Sequence, residues 1–470
     1  MSAADNNDVM ASLCAKIYTM LTSPDEINPS APKEQNVFYS FASPGIAIAE
    51  SDLDFGDLAT KAQVNASGAF AQLVNNVPNP DKAWNMTGTK IWDIYHNAIT
   101  NIDLPDSELS DKEKKMLKKA QDYLVKTTKQ VDPFDEEKVN INTGPSGQVK
   151  AYSTYCSAYT NALATYNTGR IQANSPTATP EQIQQFNLNG PTLRQNVVMA
   201  YQSWEGEGYK GYVEEARGLI ANLTGKGPAA MYNDLRANYD INKRSNIRGE
   251  TYLGTWYYPE GVLTSKYNGS WTKFTFELAD TSSYEHNSST SWGGGGGASW
   301  GLWHASASAE YGSSQSELQA DTKGIKLSVE LIQVPILRPW LQTEVFKSSG
   351  WRWSKSSGFG PISNGKTPPG LAGLMPIFPT SMIVARNLVI TQDMTSERNT
   401  AAMNSISTSA SGGWGPFSVK GHYSHDDSTK THNFTATNSG ITVPGTQIIA
   451  FVCEALPLSP NPDPSLKWLA

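Results

Sequence analysis

Two stretches of this chain, Ser282 to Ser314 and Ser405 to Ser428, follow one plan that few folds can accommodate. In each, a Ser/Thr-rich leg reaches a Gly-rich tip and returns as a leg that alternates apolar and polar residues. The first tip is Gly293, Gly294, Gly295, Gly296 and Gly297, flanked by Trp292, Trp300 and Trp303; the second is Gly412 and Gly413, followed by Trp414 and Phe417. On the first return leg Trp303, Ala305, Ala307, Ala309 and Tyr311 share one face, opposite His304, Ser306, Ser308 and Glu310. On the second, Phe417, Val419, Gly421 and Tyr423 oppose Ser418, Lys420, His422 and Ser424. Strict alternation marks a ribbon with one apolar and one polar side. Both stretches therefore read as long β-hairpins, with the glycines as turns.

The flanking segments repeat as well. Lys273 to Leu278, with Phe274, Phe276 and Leu278 alternating, leads into the first hairpin, and Ile325 to Leu337 leaves it. Met382 to Thr391 leads into the second, and Thr446 to Leu456 leaves it. The order of core strand, polar leg, Gly tip, polar leg and core strand thus occurs twice, as an internal duplication of architecture would give.

Composition changes near residue 245. Lys, Glu and Asp dominate before it, Ser, Gly, Thr and Trp after it, and most of the 13 tryptophans lie beyond it. The expected fold class is α+β: an N-terminal all-α domain over residues 1–245, a β-rich domain over 246–456 carrying hairpins near 280–320 and 400–435, and a Pro-rich tail over 457–470. In the first half, Ser110-Asp111-Lys112-Glu113 is a capping box opening a helix to about Val125. Tyr152, Tyr155, Tyr159, Leu163 and Tyr166 form a helical stripe, and Thr179-Pro180-Glu181 starts another helix. Further helices are expected over Asp8–Leu21, Trp84–Ala98, Leu193–Trp204 and Tyr212–Leu223.

Several kinds of chemistry are disfavoured. A net charge of −7 without a basic, aromatic-interleaved block argues against nucleic acid. Cys14, Cys156 and Cys453 are odd in number and widely spaced, as reduced thiols would be. Gly206 to Gly211 matches GxGxxG, but helix precedes it where a dinucleotide site needs a strand, so a helix–turn–helix corner is expected. No Walker A, HExxH, GxSxG, EF-hand or zinc-ribbon spacing occurs. No enzyme activity, cofactor, metal or small-molecule substrate is expected. The cluster His422-x-x-His425-Asp426-Asp427 has ligand chemistry, but residues three apart on a strand point to opposite faces. Histidines His286, His304, His422 and His425 in the hairpins suggest a pH response instead.

A long hairpin standing clear of its sheet has edges that need partners. A transmembrane barrel built by several subunits would satisfy them, since a spanning strand needs about 9 to 11 residues and aromatics sit at its interfaces. In layout the second half resembles hairpin-extruding pore-forming toxins, in which a central sheet unfurls two hairpins. The resemblance implies a homo-oligomer that inserts into a lipid membrane. A soluble tube, sheath or shell would pair the same edges, and a β-sandwich binding module would fold them inward. The start, MSAADNNDVM, has no secretory pattern and no run of residues is apolar enough for a spanning helix, so a soluble cytoplasmic product is expected, membrane-associated after assembly.

Overall fold

The computed structural model describes residues 3–22, 37–55, 58, 60–79, 84, 88–105, 109–132, 135–173, 178–224, 228–246, 248–258, 261–264, 271–277, 302–306, 316–318, 320–322, 324–366, 370–421 and 434–468. The helices are α1 (Ala3–Thr22), α2 (Lys61–Val74), α3 (Ile91–Thr100), α4 (Asp111–Leu124), α5 (Gly147–Ala173), α6 (Pro180–Gly206), α7 (Lys210–Thr224), α8 (Pro228–Ile241), α9 (Glu344–Lys347) and α10 (Glu397–Thr408). The strands begin with β1 (Val37–Ile48), β2 (Ile102–Asp103), β3 (Val125–Asp132), β4 (Asp135–Pro145), β5 (Lys243–Ser245), β6 (Thr251–Leu253) and β7 (Trp256–Tyr257). They continue with β8 (Thr272–Glu277), β9 (Trp303–Ser306), β10 (Ser316–Leu318), β11 (Lys326–Leu337), β12 (Arg352–Trp353) and β13 (Ile377–Thr391). The last are β14 (Ser411–Trp414), β15 (Phe417–Lys420), β16 (Thr435–Thr437) and β17 (Gly440–Ala455). The class is mixed α+β, with helices mostly in the N-terminal half and strands mostly in the C-terminal half.

A central antiparallel sheet organises the molecule. Its strands run β1-β17-β13-β11, with β8 beside the first half of β11 and β7 beside the second. Toward the start of β11 the sheet has a strict period of two. Leu327, Val329 and Leu331 are buried there, as are Leu388 and Ile390 on β13 and Ile441 and Val443 on β17, while Asn387, Val389, Thr391 and Thr442 between them are exposed. That end is thus covered on one face. Toward the end of β11 both faces are covered, and β13 is buried almost continuously from Ile377 to Ala385.

The first face packs against α1. Val9, Met10, Leu13, Cys14 and Ile17 share a cluster with Phe274, Phe276 and the β11, β13 and β17 residues just named. Lys16 lies 5.8 Å from the Phe274 ring and 5.9 Å from the Phe276 ring, a cation held over aromatic faces. The second face takes α2 and the aromatic trio Phe55, Phe70 and Tyr257, with ring centroids 5.2 to 5.8 Å apart. A third cluster joins α3, α4, α7 and α8 to Trp340, Trp351, Phe378 and Leu456. All three clusters contain first-half helices together with second-half strand residues, the third through Tyr252 and Leu253 of β6 and Phe378 of β13 as well as the β11–β13 connection. The change in composition near residue 245 therefore falls inside shared cores, at the small β5–β6 hairpin.

Local expectations fare unevenly in the first half. The Ser110 capping box is present, with Ser110 Oγ accepting from Glu113 N at 3.4 Å and Glu113 Oε2 accepting from Ser110 N at 3.0 Å. The Gly206–Gly211 corner is the α6–α7 connection. Helix α6 runs unbroken through Pro191, where two shorter helices were expected, and the Phe186 ring packs against the backbone at Gly190. The N-terminal half is also not wholly helical. Strand β1 pairs with β17 at the sheet edge, and β3–β4 forms a hairpin between α4 and α5. The β1 sequence, VFYSFASPGIAI, lacks clean alternation because it is buried on both faces and its register shifts between Phe41 and Ile46.

Candidate functional site

Strands β8, β11, β13 and β17 form a meander that is interrupted twice. Glu277, Lys326, Thr391 and Gly440 lie side by side at one end of the sheet, through the pairs Lys326–Glu277, Lys326–Thr391 and Thr391–Gly440. Residues 278–325 leave and return at that end, and so do residues 392–439. The two insertions are equal in length. The β11–β13 connection lies at the opposite end.

Strand β16 of the second insertion turns back along β17 of the central sheet, while other described parts of the two insertions fold back and pair with one another. They make a second sheet ordered β10-β9-β14-β15, in which β9 and β10 come from the first insertion and β14 and β15 from the second. At the seam Ser306 faces Ser411, Ala305 faces Gly412, His304 faces Gly413 and Trp303 faces Trp414. Backbone bonds from Ala410 N to Ser306 O at 3.1 Å and from Gly415 N to Leu302 O at 2.8 Å extend the seam at both ends. Further ties join Asp321 of the first insertion to the second: its N–H donates to Asn399 Oδ1 at 2.9 Å, its carbonyl accepts from Gln392 Nε2, and its carboxylate meets Arg398 at 3.6 Å.

This arrangement revises the expected long hairpins. The incoming leg of the second stretch is helical: Ser396 caps α10 by accepting from Asn399 N, and Ala402, Met403 and Ile406 are buried at helical spacing. Gly412 and Gly413 lie within β14 and make no turn; the turn is Gly415-Pro416, with Gly415 at φ +56°. Both strand glycines serve close packing. A methyl group on Gly412 would sit 2.7 Å from Ile406 Cγ2, and one on Gly413 would overlap the His304 ring and lie 2.6 Å from Pro44 Cβ. Trp303, Trp414 and Phe417, expected at exposed tips, are core residues of the α1 cluster, as are Ala305 and Val419. Trp303 and Trp414 meet edge to face at 6.4 Å, and Trp414 stacks on Phe417 at 6.3 Å. Trp292, Gly293 to Gly297, Trp300, Ala307, Ala309, Tyr311, Tyr423, His286, His422 and His425 lie outside the described residues.

Three features of the site escaped the sequence pattern. Gln447, buried on β17, holds β15 by a two-way bond: its Oε1 accepts from Ser418 N at 2.6 Å and its Nε2 donates to Ser418 O at 3.2 Å. Met10 and Leu13 of α1 pack beneath the Gly415 turn. His304, read as a polar-face residue, is buried, because Ser43 and Pro44 of β1 cover the face it occupies. Its Nε2 lies 3.2 Å from Ser43 Oγ and its Nδ1 has no partner among the described residues. Burial alone pushes its pKa down to about 4, so the ring is neutral where it stands.

Among the described residues no group of three His, Cys, Asp or Glu side chains is placed to hold a metal ion. Nor is any described helix long and apolar enough to cross a membrane. No protein-family model, curated protein or solved structure matches the chain.

Proposed function

We propose that this chain is a pore-forming protein whose two insertions leave the β9–β14 seam and extend, as paired hairpins, from the end of the central sheet. One observation carries this reading: both insertions depart from the same end of one four-strand meander and are equal in length. Straightened, each supplies two legs of roughly 20 residues, about 70 Å at ~3.3 Å per residue. A bilayer-spanning strand needs about 9 to 11. The ladders β8–β11 and β13–β17 would continue into the legs without a change of register once β16, which doubles back along the start of β17, has left it. Each copy would give four strands, whose open edges pair with those of neighbouring copies, so a closed ring leaves none.

The seam supplies the test. Ser306 and Ser411 are directly paired across β9 and β14, at a separation suited to a disulfide. The double variant Ser306→Cys/Ser411→Cys is expected to release dye from liposomes when reduced and to release none when oxidised. Equal release in both states, or no release by the unmodified protein at any lipid composition, removes the proposal. Rings or tubes seen by negative stain without lipid, together with intact liposomes, would point to a soluble assembly.

A further inference from the structure

The face of β11 that carries Leu327, Val329 and Leu331 continues into Gln333 and Pro335, and there the packing opens. A cavity of about 540 Å³ lies between a roof from α4, α5 and α7 and a floor from β11, β13 and β17. That volume is in the usual range for small-molecule sites, about 300 to 1,000 Å³. Apolar walls include Leu124, Ile220, Ile336 and Phe378.

The polar groups in the lining are unevenly satisfied. Gln333 Oε1 and Gln342 Oε1 are buried without a hydrogen-bond partner among the described residues. Buried amide oxygens of this kind cost about 1 to 3 kcal/mol each unless something donates to them. Two arginines line the cavity and differ in what they bind. Arg338 is fully committed, donating to Asn75 Oδ1 at 2.6 Å, Pro379 O at 2.6 Å and Val74 O at 3.0 Å. Arg217 lies 5.2 Å from the Tyr152 ring centroid and makes no ion pair among the described residues. Of the lining carboxylates, Glu454 is paired with Lys347 at 2.7 Å, and Glu344 is close enough to act on the Tyr95 phenol.

We infer that this cavity is a binding site for an organic acid with an apolar body that carries hydroxyl groups. Its carboxylate meets the Arg217 guanidinium and its body lies against the apolar walls, while the Gln333 and Gln342 amides, whose oxygens are shielded in the unliganded chain, turn toward the cavity to accept from its hydroxyls. Each otherwise unmet group in the lining thereby gains the partner its chemistry requires. The inference is independent of the pore reading, since the cavity is remote from the insertion end.

Cholate, below its micellar concentration, is the probe, because it combines a carboxylate, three hydroxyls and a rigid apolar body. Calorimetric titration of the full chain is expected to give one site and a rise in Tm with concentration. Arg217→Gln should weaken binding about 10- to 100-fold, the effect of losing a hydrogen bond to a charged group. Gln333→Leu should also weaken it, while raising the Tm of the unliganded protein by removing an orphan acceptor. Absence of cholate binding overturns the inference, as does binding unchanged in both variants. So does inorganic phosphate binding as tightly as cholate, because an anion site alone would not need the body or the hydroxyls.

Discussion

The His304 ring is the one described histidine at the seam, and its surroundings set the direction of a pH response. Ser43 and Pro44 of β1 and Gly413 of β14 pack around it, and Glu317, opposite it on β10, is exposed. Its folded pKa of about 4 lies below the usual 6.5, so a released insertion binds a proton that the seam does not. Stability is therefore complete above about pH 6.5 and falls as pH drops toward 4, by about 2 kcal/mol at pH 5. Urea unfolding between pH 4 and 7.5 should show this slope, and His304→Gln should flatten it. An unchanged slope in the variant would assign the pH response elsewhere. The glycines teach a related lesson at this scale. Gly412 and Gly413 were legible as positions needing glycine, but a sequence does not say whether the missing side chain frees a turn or admits a neighbour. Here Ile406 and His304 take the space.

Among the elements, three meander strands were legible because each carries its own alternation: Phe274 and Phe276, Leu327 to Leu331, and Leu388 and Ile390; the fourth, β17, was expected only from Thr446, and its opening pair Ile441 and Val443 was missed. Helix α4 was legible because its capping box is local. Strand β1 was not, since a strand buried on both faces loses its period. Helix α10 was hidden by its composition: Ser and Thr suggested a strand, although Ala402, Met403 and Ile406 keep helical spacing. The β14–β15 hairpin falls within the expected stretch, but its turn is Gly415-Pro416 and not Gly412-Gly413, and nothing local reveals that α1 covers it. Its anchor is Trp414, so Trp414→Ala should cost about 3 to 5 kcal/mol by thermal unfolding. A change under 1 kcal/mol would restore Trp414 to an exposed tip.

Across the whole molecule, the strongest ladders and the proposed mobile parts are separate. Strands β13 and β17 are the longest and lie inside the central sheet, whereas β9, β14 and β15 are four residues each and form a small sheet held from outside by Gln447 and α1. Local opening follows the weaker unit first. Hydrogen exchange is therefore expected to be faster at the amides of β9, β14 and β15 than at those of β13 and β17, and the gap should widen at pH 5. Equal protection would mean that the insertions open only when the whole chain unfolds. The duplicated strand–insertion–strand order was visible in the sequence, but the common exit was not, because it depends on which strands pair.

The matching spans of the two insertions also bear on how such a chain can change over time. Two arms that set out level and carry the same number of links finish level, so their far ends meet one plane. Shortening one arm by a turn would leave its neighbour projecting beyond it, and in a ring the step would recur at every copy. Length is thus a property the two segments hold jointly, although more than 60 residues of intervening chain, including all of β11 and β13, separate them.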